Sequence, residues 1–179
     1  MEFNDILKQL AVTALDLNTR SPGSSQPAWS SWAIYMNNPK LVDRLAPTLA
    51  AKIKNSSFTF DFICGIPDAG VPLASAVSRV LGNGLVRFLW GSSAFKLPVP
   101  LDSRILLVDT VAKSGETIGE AVTILKKAGC RCVGAALLAY YDDFSETRDS
   151  RFLSMQKRGE ILYLATVRQL EKFASAYSV

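Results

Sequence analysis

The sequence predicts an α/β fold with a mostly parallel central sheet and helices on both of its faces. Short apolar runs, typical of buried strands, recur along the 179-residue chain. Segments with apolar residues at helical spacing separate these runs, and such alternation is the pattern of parallel α/β sheets. With 49% apolar and 20% charged residues, a chain of this length can bury one sizeable core.

The N-terminal half contains the clearest helix. Leu41, Leu45 and Leu49 are four residues apart and share one face, although Pro47 between them argues against a straight helix. In chain order we predict a helix over residues 4–17, a loop over 18–27, a strand over 28–36, a helix over 39–54, a strand over 58–65 and a helix over 71–81.

The C-terminal half continues the alternation. Gly82 and Gly129 each follow a helical segment, where glycine commonly ends a helix. We predict strands over residues 85–89, 105–108, 132–140 and 161–164, helices over 117–128 and 167–177, and a polar, proline-rich connection over 91–103. Neither an internal repeat nor an interdomain linker is visible, so residues 1–179 are expected to form a single domain.

Composition argues against several classes of protein. The net charge is only +4 and the basic residues are scattered, so no nucleic-acid partner is expected. The longest apolar run, CVGAALLAYY, is about half of the ~20 residues that a membrane span needs, so no membrane association is expected. The acidic N-terminus does not resemble a signal peptide.

The numbers of cysteine and histidine residues limit which disulfides, metal sites and catalytic groups the chain can form. Three cysteines give no even disulfide framework and are expected to be core thiols in a reducing, cytoplasmic compartment. The chain has no histidine and no CxxC pair, so we expect no protein metal site. A serine–histidine triad is excluded for the same reason.

Two strand ends carry polar loops that lead directly into helices. These loops are GIPDAG, residues 65–70, and DTVAKSGET, residues 109–117. The second places hydroxyls and Gly115 around a helix N-terminus, where free backbone N–H groups and the helix dipole favour a phosphate. The alternative is that Ser114 or Thr117 merely caps the helix, with Glu120 completing a capping box from Thr117.

The second loop and its flanks resemble the phosphoribosyl pyrophosphate motif of the type I phosphoribosyltransferases. An apolar strand, an acidic pair, a TTG-like loop and a helix form that motif, which stands here as ILLVDTVAKSGETIGEAVTILKKAG. Further stretches are similar to the orotate branch of the family, and the resemblance covers most of the chain. These stretches are SSWAIYMNNPKLVDRLAP, FDFICGIPDAGVPLASAVSRVLG, CRCVGAALLAYYDD and LATVRQLEKF.

The resemblance implies both a fold and an activity. Residues 39–179 would form a type I phosphoribosyltransferase-like core, and residues 1–38 an N-terminal helix and a hood segment on the base side. The protein would transfer ribose 5-phosphate from phosphoribosyl pyrophosphate to a nucleobase of the orotate type, yielding a nucleotide monophosphate. Mg²⁺ would arrive with phosphoribosyl pyrophosphate, and the active species would be a homodimer.

The resemblance also implies the site residues. Asp109 would be the catalytic residue that binds a ribose hydroxyl. The residues expected to bind substrate are Thr110, Ala112, Lys113, Ser114, Gly115, Glu116 and Thr117 around the ribose 5-phosphate, Asp68, Ala69 and Gly70 at the pyrophosphate and its metal, and Lys96 in the mobile lid.

The chain departs from the family pattern at several of these positions. Thr110 replaces the second acid of the motif, and Ala69 stands where the orotate enzymes often have a lysine. The lid shrinks to WGSSAFKLPVP, with Lys96 as its only cation. The family's arginine after the fifth strand is replaced by YYDDF, and Arg148 and Arg151, further on, are expected to be solvated surface residues.

Two hypotheses follow from these matches and departures. The first is an orotate phosphoribosyltransferase-like enzyme. The second is a homologue with a degenerate active site, which binds a phosphoribosyl compound or nucleotide as a sensor or as a partner subunit. Both require the phosphate-binding loop, and they differ in whether turnover survives the lost charges.

Overall fold

The computed structural model describes residues 5, 8, 39–67, 69–87, 99–142 and 148–177. Most of the helix expected over residues 4–17 and the whole strand expected over 28–36 lie outside these ranges, as do residues 90–98 of the expected lid. The helices and strands are α1 (Pro39–Lys54), β1 (Phe62–Gly65), α2 (Gly70–Leu81), β2 (Gly84–Arg87), β3 (Arg104–Ala112), α3 (Glu116–Lys127), β4 (Arg131–Tyr140), α4 (Ser150–Lys157), β5 (Ile161–Thr166) and α5 (Val167–Tyr177).

The strands form one five-stranded sheet in the order β2-β1-β3-β4-β5. Every neighbouring pair is parallel. The central strand β3 is apolar and fully buried from Ile105 to Val108, as expected for a strand that is covered on both faces. The predicted fold class is therefore confirmed.

Two apolar clusters lie on opposite faces of this sheet. Helices α1, α2 and α5 cover one face, against Ile63, Leu106 and Leu138 among others. Helices α3 and α4 cover the other face, against Ile105, Leu107 and Leu137. The alternation of side chains along β3 divides the core between the two clusters.

Several boundaries differ from the sequence expectation. The strand predicted over residues 58–65 begins only at Phe62, because Phe58 instead fills the space beside Gly134. Strand β3 continues four residues past Val108, because its end remains paired with β4 up to Ala112. Helix α1 continues through Pro47, which lies on its exposed side. Helix α4 was not expected.

The three cysteines are core thiols, as predicted. Cys64 and Cys130 are buried, and Cys132 is half-buried beside the second cluster. Burial raises the pKa of the Cys132 thiol to about 12, so this sulfur stays protonated and unreactive at neutral pH.

Candidate active site at the switch point of the sheet

The two polar loops meet at the point where the strand order reverses. From β1 the chain crosses to β2 on one side, whereas β3 lies on the other side of β1. Helix α2 packs on one face of the sheet and helix α3 on the opposite face. A crevice at the carboxyl ends of β1 and β3 is where open α/β sheets bind ligands.

Two glycines allow the 65–70 loop to fold tightly. A Cβ on Gly65 would stand 2.6 Å from Val71 Cα, and one on Gly70 would stand 2.6 Å from the Val108 carbonyl oxygen. The buried Ala69 begins helix α2 without a side-chain cap from any described residue. Its neighbour Asp68, expected at the pyrophosphate, lies outside the described residues, as does Lys96.

Asp109 sits within strand β3, next to the start of α2. Its Oδ1 accepts a hydrogen bond of 2.7 Å from the Thr110 backbone N–H, and a Cβ on Gly70 would stand 3.2 Å from the same oxygen. Desolvation raises the pKa of the Asp109 carboxyl to about 7, against the opposing effect of the Thr110 hydrogen bonds. The carboxyl group therefore titrates near neutral pH, where it can accept a hydrogen bond from a sugar hydroxyl when ionised.

Thr110 and Ala112 are both covered by protein. Each is only 4% exposed, whereas Asp109, between them and Val108, is half-buried. The Ala112 carbonyl accepts a 3.0 Å hydrogen bond from the Tyr141 N–H, which continues the β3–β4 pairing beyond the strand. Substrate contacts from these two positions are thus limited to the backbone.

The 113–117 segment forms the second loop and the first turn of helix α3. Gly115 is the N-cap residue, with a left-handed φ of 81°, and as a glycine it offers no side chain to cap the helix. The Ser114 hydroxyl lies 3.3 Å from the Glu116 N–H, at the long limit for a hydrogen bond. Lys113, Glu116 and Thr117 are exposed around this turn.

The capping-box alternative is wrong, because helix α3 begins at Glu116 and Thr117 already lies inside its first turn. The contrast with two other helices is informative. Asp149 caps α4 by accepting from two backbone N–H groups, and Thr166 and Gln169 cap α5 reciprocally. At the crevice, the N-cap residues of α2 and α3 are Ala69 and Gly115, whose side chains cannot accept a hydrogen bond from the first N–H groups of either helix.

Helix α4 accounts for the conformation of the second loop. A Cβ on Gly115 would stand 2.1 Å from Phe152 Cγ, so the close approach that requires glycine here is to this ring. The expectation that Gly115 serves the approach of a phosphate to the backbone is therefore incomplete. Gly115 is needed first for packing against Phe152, and its left-handed φ leads the chain into helix α3.

The 141–149 segment is fastened to the second loop at both ends. The Tyr141 N–H donates to the Ala112 carbonyl, and the Asp149 N–H donates to the Ser114 carbonyl, each at 3.0 Å. Asp149 directly before Ser150, with Phe152 and Met155 one turn apart, is the sequence signal that could have revealed α4. Sequence reasoning missed this helix.

Arg148 differs from the expectation of a solvated side chain, whereas Arg151 agrees with it. Arg148 is half-buried, donates to the Tyr141 carbonyl at 2.8 Å and lies with its guanidinium carbon 5.0 Å from the centroid of the Tyr140 ring. Arg151 is exposed, but it pairs with Asp149 and donates to the Thr123 hydroxyl. Asp142, part of the acidic stretch YYDDF, lies 3.8 Å from Arg168.

Comparison with known proteins decides the family. Residues 31–159 match the model of the phosphoribosyl transferase domain, which is more than half of the chain. The chain belongs to the phosphoribosyl transferase family. The match includes both crevice loops, residues 65–70 and 109–117.

Individual phosphoribosyl transferases are similar at moderate identity. An orotate phosphoribosyltransferase of Thioalkalivibrio sulfidiphilus is 33% identical over 130 residues, which cover 66% of this chain and 61% of that protein. One of Kluyveromyces lactis is 29% identical over 168 residues, which cover 83% and 74%. The chain spans less than two thirds of the length of the first of these relatives.

Solved structures share the phosphoribosyl transferase fold. A UMP synthase of Leishmania donovani superposes with a TM-score of 0.74 at 24% identity, covering 94% of this chain and 38% of that one. An orotate phosphoribosyltransferase of Mycobacterium tuberculosis, in complex with phosphoribosyl pyrophosphate, superposes with a TM-score of 0.65 at 15% identity, covering 91% and 99%. At such identities the likeness concerns the fold.

Proposed function

We propose that this protein transfers ribose 5-phosphate from phosphoribosyl pyrophosphate to orotate in pyrimidine nucleotide synthesis. One observation carries the proposal: helices α2 and α3 begin on either side of Asp109, at the switch point of a phosphoribosyl transferase fold. Orotate as the acceptor is supported by the similarity to orotate phosphoribosyltransferases. Phosphoribosyl pyrophosphate has a 5′-phosphate at one end and a pyrophosphate at the other, and these two anionic groups match the two positive helix ends.

Each end of the crevice has a part in this reaction. The N–H groups at the start of α3, with the Ser114 hydroxyl, hold the 5′-phosphate. The N–H groups at the start of α2 receive the pyrophosphate, on which negative charge develops as it leaves. Asp109, once ionised, accepts a hydrogen bond from a ribose hydroxyl and places a negative charge near a sugar carbon that becomes cation-like.

Magnesium belongs to the substrate in this proposal. Among the described residues, no group of three or more acidic, cysteine or histidine side chains is placed to hold a metal ion. The oxygens of phosphoribosyl pyrophosphate are hard ligands that suit Mg²⁺, which binds proteins through few side chains when phosphates are present. Bound there, the ion neutralises charge on the leaving group.

Two further properties belong to the same proposal. A homodimer would let a second copy place its lid over the crevice, which would supply cations beyond Lys96. The three cysteines are core thiols outside any disulfide, which supports a reducing compartment such as the cytoplasm. No helix in the described ranges is both long and apolar enough to span a membrane.

Turnover distinguishes the enzyme from the non-catalytic alternative. Purified protein would be mixed with phosphoribosyl pyrophosphate, Mg²⁺ and orotate, and both orotidine monophosphate and pyrophosphate would be quantified. We expect the two products in equal amounts, with Asp109→Ala at least about a hundredfold slower. Binding of phosphoribosyl pyrophosphate without either product would support the sensor or partner-subunit alternative, and absence of binding would refute both.

A further inference from the structure

The 112–117 loop has little charge of its own with which to hold a phosphate. Lys113 contributes +1 and Glu116 contributes −1, so the formal charge of the loop is zero. A phosphate monoester carries between one and two negative charges at neutral pH. The helix N-terminus supplies only a partial positive charge, about half of one unit.

Arg148 is the cation tied most directly to this loop. It is adjacent to Asp149, whose N–H donates to the Ser114 carbonyl, and its guanidinium donates to the carbonyl of Tyr141. Tyr141 is in turn bonded through its N–H to the Ala112 carbonyl. The Arg148 side chain is thus anchored at Tyr141, and both Tyr141 and Asp149 are hydrogen-bonded to the loop.

Among the described residues, the groups that hold Arg148 occupy few of its donors. In the described part of the chain, its recorded contacts are the Tyr141 carbonyl and the Tyr140 ring, and both are neutral. A guanidinium has five N–H donors, of which the carbonyl takes one. Contact of the Tyr140 ring with its flat face leaves the donors at its edge for an anion.

The neighbouring arginine is occupied in a different way. Arg151 is paired with the Asp149 carboxylate and bonded to the Thr123 hydroxyl, so its charge is already balanced. It serves the junction between α3 and α4 rather than the loop. Of these two arginines, the geometry favours Arg148 for an external anion.

We propose that Arg148 binds the 5′-phosphate of the phosphoribosyl substrate and supplies the positive charge that the 112–117 loop lacks. This inference rests on the proposed function, because it requires a phosphoribosyl compound in the crevice. Tyr140 and Tyr141 hold the guanidinium in place before the ligand arrives, which reduces the entropy lost on binding.

Calorimetric titration of the full chain with ribose 5-phosphate tests this role. We expect Arg148→Gln to weaken binding by about tenfold to a hundredfold, the usual effect of losing a hydrogen bond to a charged group. Arg148→Lys, which keeps the charge, should recover part of the affinity. Arg158→Gln is the matched control. Arg158 pairs with Glu160 just before β5 begins, at the amino ends of the strands, whereas the crevice lies at their carboxyl ends.

The outcomes separate this inference from the proposed function. Affinity of Arg148→Gln within twofold of the unsubstituted protein would overturn the inference and leave the function standing. Weaker orotate binding with unchanged ribose 5-phosphate binding would also overturn it, because the guanidinium would then serve the base. If the unsubstituted protein binds no ribose 5-phosphate, both fail.

A measurement without substitution covers the case in which Arg148→Gln does not fold. Phenylglyoxal modifies accessible guanidinium groups, and mass spectrometry can follow Arg148 and Arg158 separately. Ribose 5-phosphate should slow modification of Arg148 but not of Arg158, and ribose should slow neither. Equal modification of Arg148 with and without ribose 5-phosphate would overturn the inference.

Discussion

Gly115 lies directly against Phe152, so closely that a single added methyl group would stand 2.1 Å from the ring. This contact joins the 112–117 loop to the fully buried side chain of helix α4. The loop is therefore positioned by an element that follows it by more than thirty residues. Its conformation is a property of the tertiary fold as much as of the local sequence.

Gly115→Ala should reduce the free energy of unfolding by about 3 kcal/mol. The substitution combines the strain of a left-handed residue, about 1–2 kcal/mol, with overpacking against Phe152. Gly82→Ala is the control, because Gly82 has a similar φ of 74° but no atom within 4 Å of the added Cβ. Urea denaturation should show a cost of about 1 kcal/mol for this control. Equal costs would mean that Phe152 does not constrain the loop.

Ser114→Ala should separate phosphate binding from helix capping. The Ser114 hydroxyl makes only a long contact with the Glu116 N–H, so we expect a loss of stability below about 0.5 kcal/mol. Affinity for ribose 5-phosphate should fall about threefold to tenfold, as for one hydrogen bond.

Thr166→Ala provides the opposite pattern. Thr166 caps α5 together with Gln169, so its removal should cost about 1 kcal/mol without changing ribose 5-phosphate affinity. Thermal unfolding and calorimetry on both variants check the pair. A large loss of stability in Ser114→Ala would restore the capping interpretation.

Ionisation of Asp109 should make the protein less stable as the pH rises. Its pKa is raised from 3.8 to about 7 in the folded state, so the folded protein binds the proton more tightly than the unfolded chain. This contribution is complete below about pH 4 and is lost as the pH rises through 7, by at most about 4 kcal/mol. In Asp109→Asn, urea titrations between pH 4 and pH 8 should no longer show this decline.

Asp61→Asn should change the pH dependence in the opposite sense. Hydrogen bonds from the Arg104 side chain and backbone hold the pKa of Asp61 at about 2. The stability from this carboxylate is present above about pH 4 and is lost as the pH falls through 2. If Asp61→Asn and Asp109→Asn shift the profile in the same direction, the assignment of Asp109 is wrong.

Gly70→Ala should damage catalysis more than stability. The added Cβ would stand 2.6 Å from the Val108 carbonyl oxygen and 3.1 Å from Asp109 Cα, which are backbone atoms with little freedom to move. Separating α2 from β3 by even 1 Å should lower kcat/KM for phosphoribosyl pyrophosphate about a hundredfold.

Gly84→Ala is the matched control for this substitution. Its Cβ would also stand 2.6 Å from another atom, but that atom belongs to the Phe62 ring at the amino ends of the strands. Activity per folded molecule should be unchanged in Gly84→Ala. Equal losses of kcat/KM in the two variants would show that the Gly70 contact has no special part in the reaction.

Most of the helices and strands could be predicted from the sequence because burial of one face places apolar residues at a regular spacing along each of them. Helices α1 and α5 have the predicted bounds, since each presents one apolar face to the sheet. The apolar run from Ile105 to Val108 marks β3, but its last four residues are recognisable only through their pairing with β4. Residues at the end of a strand that include polar side chains do not show this regular apolar spacing, so they are not recognised as part of the strand.

The position of the candidate site could be predicted from the sequence, but the tertiary contacts that shape it could not. Glycine and hydroxyl residues after a buried strand indicated where a phosphate would bind. Two contacts depend on helix α4 and the residues before it. One joins Gly115 to Phe152, and the other is the hydrogen bond from Arg148 to the Tyr141 carbonyl. That helix buries only Phe152 and Met155, too few residues for a periodic signal.

The N-terminal ends of α2 and α3 converge on the crevice from opposite faces of the sheet. Two positive helix ends in one cleft attract compact polyanions before any side chain is engaged. Under the proposed function, free pyrophosphate meets the same requirement as the donor. We therefore expect pyrophosphate to inhibit the reaction competitively with phosphoribosyl pyrophosphate, and a pyrophosphatase to relieve that inhibition.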